Sequence, residues 1–180
     1  MSQLTIYAEH DPRTPEAVHT EPAQIRAALA AHGIDFARVG VPEQLAGEAD
    51  ADAVLAAFAP FLAAERAARG YQTADVIRLA RGTPDTAPMR AKFLSEHTHA
   101  EDEARLFAHG SGAFYLHVGG KVLVVVCDRG DYLRVPAGTR HWFDMGPDPE
   151  LTAVRLFTDP AGWVARFTGD PIADRFPRFE

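Results

Sequence analysis

The two halves of the chain differ in the spacing of their apolar residues. Residues 22–33 and 54–70 are rich in alanine and leucine, and Ile25 and Leu29 recur at a helical interval. From Asp75 onward the pattern changes to short β-branched and aromatic runs separated by glycine, proline and aspartate. The pattern therefore predicts helices in the first half and β-structure in the second.

Proline and glycine mark the helix boundaries. Pro22 suits the first turn of a helix that Gly33 ends, and its buried face carries the two apolar residues just named. Pro60 is expected to start or kink a second helical stretch, which ends at Gly70. Between them, IDFARV predicts a short extended piece. We interpret these helices as packing elements.

The second half contains several segments that predict strands. Gly119 and Gly120 join two of them, and a glycine pair supplies the positive φ angles of a tight hairpin. The segments are DVIRLA, FYLHV, KVLVVVCD, YLRVPAG and TAVRLF. Together they predict a β-barrel or sandwich, so the fold class is mainly β with N-terminal helices.

Composition narrows the classes of partner. The chain has 180 residues, 47% of them hydrophobic, and a formal net charge of -7, with basic residues scattered along it. This argues for one domain and against nucleic acid as a partner. Cys127 is the only cysteine, which excludes an intrachain disulfide and favours a reducing compartment. No segment predicts a membrane span or a secretory signal, so we expect a cytoplasmic protein.

Two histidines one residue apart, in HTHAEDEARLF, carry the strongest chemical signal. In an extended strand, His97 and His99 project to the same side, where one metal ion can bind both. Glu103 has the same parity, but the polar residues AED before it can form a turn, so its role as an oxygen ligand is inferred from spacing and not from the pleat alone. His141 follows the turn signature Pro-Ala-Gly. Three imidazoles and a carboxylate suit iron, nickel or manganese and leave two of six coordination positions open.

The competing interpretation is structural, because a lone His-x-His pair on a strand is more often a surface or core feature than a metal site. We interpret the five remaining histidines as exposed, capping or core residues without a metal role: His10, His19, His32, His109 and His117. The joint spacing of the four candidate ligands, three histidines and one glutamate, distinguishes them from these five histidines.

That spacing, together with Gly110, Gly130, Pro136 and Gly138, resembles the paired motifs of the cupin superfamily. The resemblance implies a cupin-type β-barrel, also described as a double-stranded β-helix or jelly roll. It divides the single domain into a helical N-terminal packing region (1–70), a metal-binding barrel (75–160) and a C-terminal tail (161–180). Ala91 and Met145 depart from the usual glycine and asparagine of these motifs.

Five segments resemble the acireductone dioxygenase family over nearly the whole chain: GYQTADVIRL, KFLSEHTHAEDEARLF, VPAGTRHWFDMG, LTAVRLF and GWVARFTGDPIADRFPR. The resemblance implies an enzyme of methionine salvage that cleaves 1,2-dihydroxy-3-keto-5-methylthiopentene, an enediol ketone, with O2. It implies one Fe(II) or Ni(II) per chain. Iron gives formate and 2-keto-4-methylthiobutyrate, and nickel gives methylthiopropionate, formate and carbon monoxide. The implied metal ligands are His97, His99, Glu103 and His141.

Two arginines are candidates for binding substrate oxygens. Arg105 shares the parity of the proposed ligands, and Arg155 alternates with apolar residues in TAVRLF, so both can point into the barrel. The structural alternatives are a salt bridge from Arg105 to Glu101 or Asp102 and a solvent-facing position for Arg155. The family resemblance favours a substrate role for both.

Three aromatic residues, Phe93, Phe143 and Trp163, are candidates for an apolar wall around the methylthio tail, with ordinary core packing as the alternative. The base that removes substrate protons stays unassigned between Glu103, Asp102 and a metal-bound hydroxide.

We expect a monomer whose partners are the small enediol substrate and O2. One alternative is a metal-dependent cupin dioxygenase acting on another enediol or diketone. The other is a non-catalytic cupin that binds a ligand, which predicts missing metal ligands or filled coordination positions.

Overall fold

The computed structural model describes residues 1–45, 47, 49–159 and 163–180. Within these residues the chain forms twelve β-strands, four α-helices and one short 3₁₀ helix. The strands are β1 (Gln3–Ala8), β2 (Asp11–His19), β3 (Asp35–Arg38), β4 (Thr73–Leu79), β5 (His97–Thr98), β6 (Glu103–Gly110), β7 (Gly112–Val118), β8 (Lys121–Cys127), β9 (Asp131–Val135), β10 (Arg140–Asp144), β11 (Leu151–Phe157) and β12 (Arg166–Phe167). The helices are α1 (Pro22–Ala30), α2 (Ala51–Ala57), α3 (Ala59–Arg69), α4 (Thr86–Phe93) and the 3₁₀ helix (Pro171–Arg175).

The strands form two antiparallel sheets. The order in the seven-stranded sheet is β12-β5-β10-β7-β8-β1-β2, and in the five-stranded sheet it is β3-β9-β6-β11-β4. Apolar side chains from both sheets meet in one buried cluster, which includes Leu116 and Leu123 from the first sheet and Phe107 and Leu133 from the second. The core therefore lies between the sheets, as the alternation of buried positions in antiparallel strands requires.

Two smaller clusters attach the helices to the outer faces of the sheets. Val54, Phe58 and Leu62 of the α2–α3 region pack with Leu106 and Val154 of the five-stranded sheet. On the other side, residues of the 3₁₀ helix pack against Trp142 and its neighbours. Strands β6 and β11 are consequently buried on both faces over most of their length, although β6 also carries Glu103 and Arg105.

The helix boundaries agree with the sequence. Pro22 lies at the start of α1 and Pro60 at the start of α3. Gly33 and Gly70 follow these helices with positive φ angles of 73° and 75°. The predicted hairpin joins β7 to β8 through Gly119 and Gly120, both with positive φ.

The prediction of a helical N-terminal region was wrong for its first residues. Strands β1 and β2 precede the first helix, and β1 pairs with β8, so the N-terminus belongs to the seven-stranded sheet. The C-terminal tail is also part of the fold, because β12 pairs with β5 and Ile172 is buried beside Trp142. The predicted boundary between barrel and tail, at residues 160 and 161, lies outside the described residues.

No α-helix among the described residues is long and apolar enough to cross a membrane. The strands that matter for the site are β5, β6 and β10, whose ends meet at one side of the two sheets. His141 on β10 lies directly opposite His97 on β5, and Glu103 begins β6 in the facing sheet.

Candidate metal centre

Four side chains that the sequence singled out converge at this edge. The candidate ligand atoms of His97, His99, Glu103 and His141 all lie within 4.8 Å of one another, and all four residues are buried. A hydrogen bond joins the two loops that carry these residues. The backbone N–H of Gly138, in the turn before β10, donates to the carbonyl of His99 at 2.9 Å. The turn thus returns His141 to the histidine pair, as the Pro-Ala-Gly signature predicted.

Backbone carbonyls fix the orientation of each imidazole. Nδ1 of His97 lies 2.7 Å from the carbonyl of Ser95, Nδ1 of His99 3.1 Å from that of Val164, and Nδ1 of His141 2.8 Å from that of Thr139. Because a carbonyl oxygen only accepts hydrogen bonds, each Nδ1 is the donor. Every ring therefore presents Nε2 to the cluster, and in a neutral ring that atom carries a lone pair.

Glu103 meets two of these lone pairs. Its Oε2 lies 3.1 Å from Nε2 of His99 and 3.1 Å from Nε2 of His141. An ionised carboxylate and a neutral Nε2 are both acceptors, so these contacts repel unless a proton or a metal cation lies between them. The other oxygen, Oε1, is 2.8 Å from Nε of Arg105, yet neither atom makes an aligned hydrogen bond. The buried polar groups of this cluster are incompletely satisfied by the protein alone.

Burial and the contacts within the cluster shift the pKa values of three of its four residues. Burial and the nearby charge of His141 lower the pKa of His97 to about 4, which keeps that ring neutral. Burial also disfavours charge on His99, but the hydrogen bond and charge of Glu103 outweigh it and raise the pKa of His99. Burial alone would raise the pKa of Glu103, but the charge of Arg105 and the hydrogen bonds from the histidines hold it well below its ordinary value.

These distances fit a small divalent cation. Metal–nitrogen and metal–oxygen bonds of about 2.1 Å place ligand atoms at most about 4.2 Å apart. The four donors need only a small contraction from their 4.8 Å limit to reach such a cation. A positive ion would also replace the repulsion between Oε2 of Glu103 and the two Nε2 atoms by attraction to all three. The donor set therefore fits a first-row metal.

A cavity of about 140 Å³ opens beside the cluster. The volume is below the roughly 300–1,000 Å³ typical of drug-sized ligands, so it suits a small metabolite. Three of the four candidate ligands line it, and so do all five side chains predicted to contact substrate: Phe93, Arg105, Phe143, Arg155 and Trp163. Its lining also includes Ile77, Lys92, Ala165 and Phe167, which the sequence reasoning did not identify.

The two arginines stand in one row across the five-stranded sheet. Arg105 of β6 lies directly opposite Arg155 of β11, which in turn lies opposite Asp75 of β4. Like charges in directly opposed positions destabilise a sheet, so a functional reason is expected. Arg155 is held by Asp75 through two hydrogen bonds of 2.8 and 2.6 Å, whereas Arg105 is buried against Glu103. The structural alternative, a salt bridge from Arg105 to Glu101 or Asp102, is not found among the described residues, where Arg105 contacts Glu103 and Asp102 pairs with Arg134.

Aromatic rings surround the guanidinium groups. The Cζ atom of Arg105 lies 4.6 Å from the ring centre of Phe143 and 5.4 Å from that of Trp163. Trp163 also faces Arg155, whose Cζ atom is 5.7 Å from its ring centre. Phe93 packs edge-on against Phe143 at 6.4 Å. The predicted apolar wall therefore also supports the cationic groups through cation–π contacts.

Comparison with known proteins agrees with this geometry. The model of the ARD/ARD′ family matches residues 3–165. An acireductone dioxygenase of Marinobacter nauticus is 47% identical over 180 residues, covering 100% of this chain and 97% of the relative. One of Gluconobacter oxydans is 48% identical over 177 residues, covering 98% and 94%.

The chain belongs to the ARD/ARD′ family.

A solved structure extends the comparison to the fold. An acireductone dioxygenase from Bacillus anthracis, with a cadmium ion in its active centre, has a TM-score of 0.80 and 28% sequence identity. The match covers 93% of this chain and 98% of that chain. The predicted cupin-type fold of the ARD/ARD′ family is thereby confirmed.

The two carboxylates considered as bases, Glu103 and Asp102, differ in their position relative to the cavity. Glu103 lines the cavity, but Asp102 does not. The Asp102 carboxylate accepts hydrogen bonds from Arg134 at 2.8 Å and from the backbone N–H of Ala137 at 2.9 Å. It therefore joins the loop before β6 to the turn before β10, and of the two candidate carboxylates only Glu103 lines the cavity.

The histidines interpreted as structural lie outside the four-residue cluster. His109 is partly exposed beside Glu150, whereas His117 is buried. The ring nitrogens of His117 face Glu96 at 2.6 Å and Glu9 at 2.9 Å. The sequence reasoning missed these carboxylate partners, because Glu9 and Glu96 are distant from His117 along the chain.

Proposed function

We propose that this chain is a metal-dependent dioxygenase of methionine salvage that cleaves 1,2-dihydroxy-3-keto-5-methylthiopentene with molecular oxygen. The observation that carries the proposal is the cluster in which Oε2 of Glu103 faces Nε2 of both His99 and His141. Such an arrangement of acceptors is stabilised by a cation. Membership of the ARD/ARD′ family supports the choice of substrate.

We propose His97, His99, Glu103 and His141 as ligands of one Fe(II) or Ni(II) per chain. When bound, the cation acts as a Lewis acid toward the two adjacent oxygens of an enediolate and stabilises their negative charge. Held by these four residues, a six-coordinate cation would keep two positions for those oxygens. The cadmium ion in the active centre of the Bacillus anthracis protein supports a divalent metal at this site.

The residues around the cavity suit an anionic substrate with an apolar tail. Three cationic side chains and one carboxylate line it: Lys92, Arg105, Arg155 and Glu103. We propose that the two arginines hold substrate oxygens and that their aromatic neighbours hold the guanidinium groups in place. Phe93, Phe143 and Trp163 provide the surface against which the methylthio tail packs, and they exclude water from the reacting oxygens.

Glu103 is the better placed of the two candidate bases, since the Asp102 carboxylate is engaged by Arg134 and Ala137. Proton transfer to a base requires hydrogen-bond reach of the substrate hydroxyl. Oε1 of Glu103 faces the cavity side chain of Arg105 and makes no hydrogen bond. This position favours Glu103 over Asp102, but the lowered pKa of Glu103 makes it a weak proton acceptor, so the base stays unassigned. The protein is proposed to act as a cytoplasmic monomer without nucleic-acid or membrane partners.

Anaerobic generation of the acireductone followed by addition of O2 tests the function. Metal-stripped protein is reloaded separately with Fe(II) and Ni(II), and the products of each reaction are identified. We expect formate and 2-keto-4-methylthiobutyrate with iron, and methylthiopropionate, formate and carbon monoxide with nickel. If neither metal accelerates substrate loss over the uncatalysed oxidation, the proposed substrate is wrong and another enediol or diketone must be sought.

A further inference from the structure

Lys92 occupies a position that the proposed chemistry has not yet used. It lies in the last turn of α4, where its side chain is exposed to solvent. It lines the 140 Å³ cavity and also an open groove of about 500 Å³ next to it. Phe167 is shared by both linings in the same way. Lys92 therefore stands where the groove meets the cavity.

The cations of the cavity differ in their partners. Arg105 is 2.8 Å from a carboxylate oxygen of Glu103, and Arg155 is held by both oxygens of Asp75. No carboxylate within the described residues forms an ion pair with the ammonium group of Lys92. Within the described part of the chain, Lys92 is therefore the only one of the three cationic side chains lining the cavity that has no carboxylate in direct contact.

The charge of the whole molecule makes this position important. The formal net charge of -7 repels an approaching anion at long range. A local cation beside the cavity opposes that repulsion where the substrate must enter. Lysine suits such a position, because its ammonium group is a compact charge on a flexible chain that can follow a moving ligand.

We propose that Lys92 binds the enediolate of the substrate at the mouth of the cavity and increases its rate of capture. The inference rests on the proposed function, since it requires an anionic enediol as substrate. It assigns Lys92 a part in substrate binding that is separate from the metal ligands and from the two arginines. Its effect belongs to kcat/KM and not to the chemical step.

The chain provides a matched control, because it contains only two lysines. The second, Lys121 on β8, is also exposed on its side chain but forms an ion pair with Glu16 at 2.7 Å. Lys121 is absent from the lining of both the cavity and the groove. Replacing each lysine in turn therefore removes the same charge from the molecule at two different places.

Steady-state kinetics of the metal-reloaded protein test the proposal. Lys92→Gln should lower kcat/KM roughly tenfold and leave kcat within about twofold of the wild type. A tenfold loss is about the low end of the increase in association rate that local charge provides. It should also flatten the dependence of kcat/KM on ionic strength. Lys92→Arg should keep most of the wild-type kcat/KM, and Lys121→Gln should match the wild type in all parameters.

The result that would overturn the role of Lys92 is a Lys92→Gln protein with wild-type KM and wild-type salt dependence, or one that loses only kcat. The wild type itself tests the proposed function in the same experiment. If it consumes acireductone no faster than the uncatalysed reaction, both proposals fail. If it turns over normally while Lys92→Gln is indistinguishable from it, only the inference about Lys92 fails.

Binding without turnover gives a second readout. Reductive methylation with labelled formaldehyde keeps the charge of each lysine and adds one NMR signal for each of the two side chains. Anaerobic addition of acireductone should shift the Lys92 signal and leave that of Lys121 in place. Equal shifts of both signals, or no shift of the Lys92 signal at concentrations that saturate the enzyme, would contradict the proposed contact.

Discussion

Two buried carboxylates of this protein have very different surroundings. Asp131, in the five-stranded sheet, is fully buried and fully satisfied by the protein. Its oxygens accept hydrogen bonds from Ser2 at 2.5 Å, from Arg38 at 2.7 Å and from the backbone N–H of Asp128 at 2.7 Å. These contacts attach the N-terminus and β3 to β9, so this carboxylate serves the fold.

Glu103 is also buried, but the protein satisfies it only in part. One oxygen faces two imidazole nitrogens, and the other faces Arg105 without an aligned hydrogen bond. Buried polar groups are normally paired because leaving one unpaired costs about 1–3 kcal/mol. The difference teaches that a buried carboxylate marks a ligand site when imidazole ring nitrogens converge on it and one of its oxygens lacks an aligned donor. It marks a structural site when fixed donors satisfy both of its oxygens.

Removing one candidate ligand should give the largest effect. His99→Ala deletes one of the four converging donors, and we expect the metal affinity to fall at least about 100-fold, the upper limit for loss of an outer partner. Metal content after gel filtration, measured by mass spectrometry, should drop from one per chain to a trace. Asp131→Asn, the matched variant at the other carboxylate, should keep its metal. Full occupancy with normal turnover in His99→Ala would refute the site.

The pH dependence of stability should sharpen the comparison in the metal-free protein. The pKa of His97 is lowered from 6.5 to about 4 in the folded protein. Between these two pH values, His97 binds a proton in the unfolded chain but not in the folded chain. Stability therefore falls as the pH falls through this window, by at most about 3 kcal/mol. The raised pKa of His99 stabilises the folded state at low pH, and this stabilisation is lost only as the pH rises above 6.5. It therefore does not affect the slope in the lower window.

Urea unfolding between about pH 6.5 and about pH 5.5 measures this slope above the range in which the acidic groups titrate. His97→Gln should flatten the slope, whereas Asp131→Asn should retain it at lower overall stability. A wild-type protein whose stability is constant or increases on acidification would show that His97 is not held neutral by burial.

Asp131→Asn should destabilise the fold by about 2 kcal/mol, because it replaces an acceptor-only group by an amide and weakens the charge contact with Arg38. The free energy of unfolding in urea measures the loss. The metal affinity and kcat should stay within about twofold of the wild type. Loss of metal in this variant, at a temperature where it remains folded, would break the proposed separation between the two carboxylates.

Asp75→Asn should have the smallest effect. Asp75 positions Arg155 through two hydrogen bonds, but both side chains are partly exposed and Arg155 also contacts Phe157 and Trp163. Contacts of this kind contribute up to about 1 kcal/mol, so KM should rise no more than about fivefold while kcat is retained. A loss of kcat with unchanged KM would mean that Arg155 acts on the chemical step.

Much of the site could be predicted from the sequence, because spacing in a strand fixes the face on which a side chain lies. The one-residue spacing of His97 and His99 was sufficient to group that pair, and the turn before His141 explained its return to them. Glu103 begins β6 in the facing sheet, so its place in the group followed from the motif spacing and not from strand parity. The contribution of Lys92 could not be predicted in this way. It comes from α4, which presents no buried residue and has a weak apolar pattern, so the helix itself was missed.

The fold shows the same limits. Strand β6 is buried on both faces, but its polar residues Glu103, Arg105 and His109 interrupt the apolar run that predicts such a strand. Strands β5 and β12 have two residues each, too few for a pattern. The sequence of β1, QLTIYA, alternates polar and apolar residues as a strand does, but its partner β8 lies more than a hundred residues away along the chain. Local sequence carries little information about such pairings.

X-ray absorption at the nickel edge of the reloaded wild-type protein tests the central claim most directly. The account predicts a shell of nitrogen and oxygen ligands without sulfur, with outer-shell scattering from three imidazoles. In His141→Ala protein that retains nickel, the scattering should fall to that of two imidazoles. A wild-type spectrum without imidazole scattering would mean that the metal binds elsewhere and that the opposed acceptors around Glu103 are not its site.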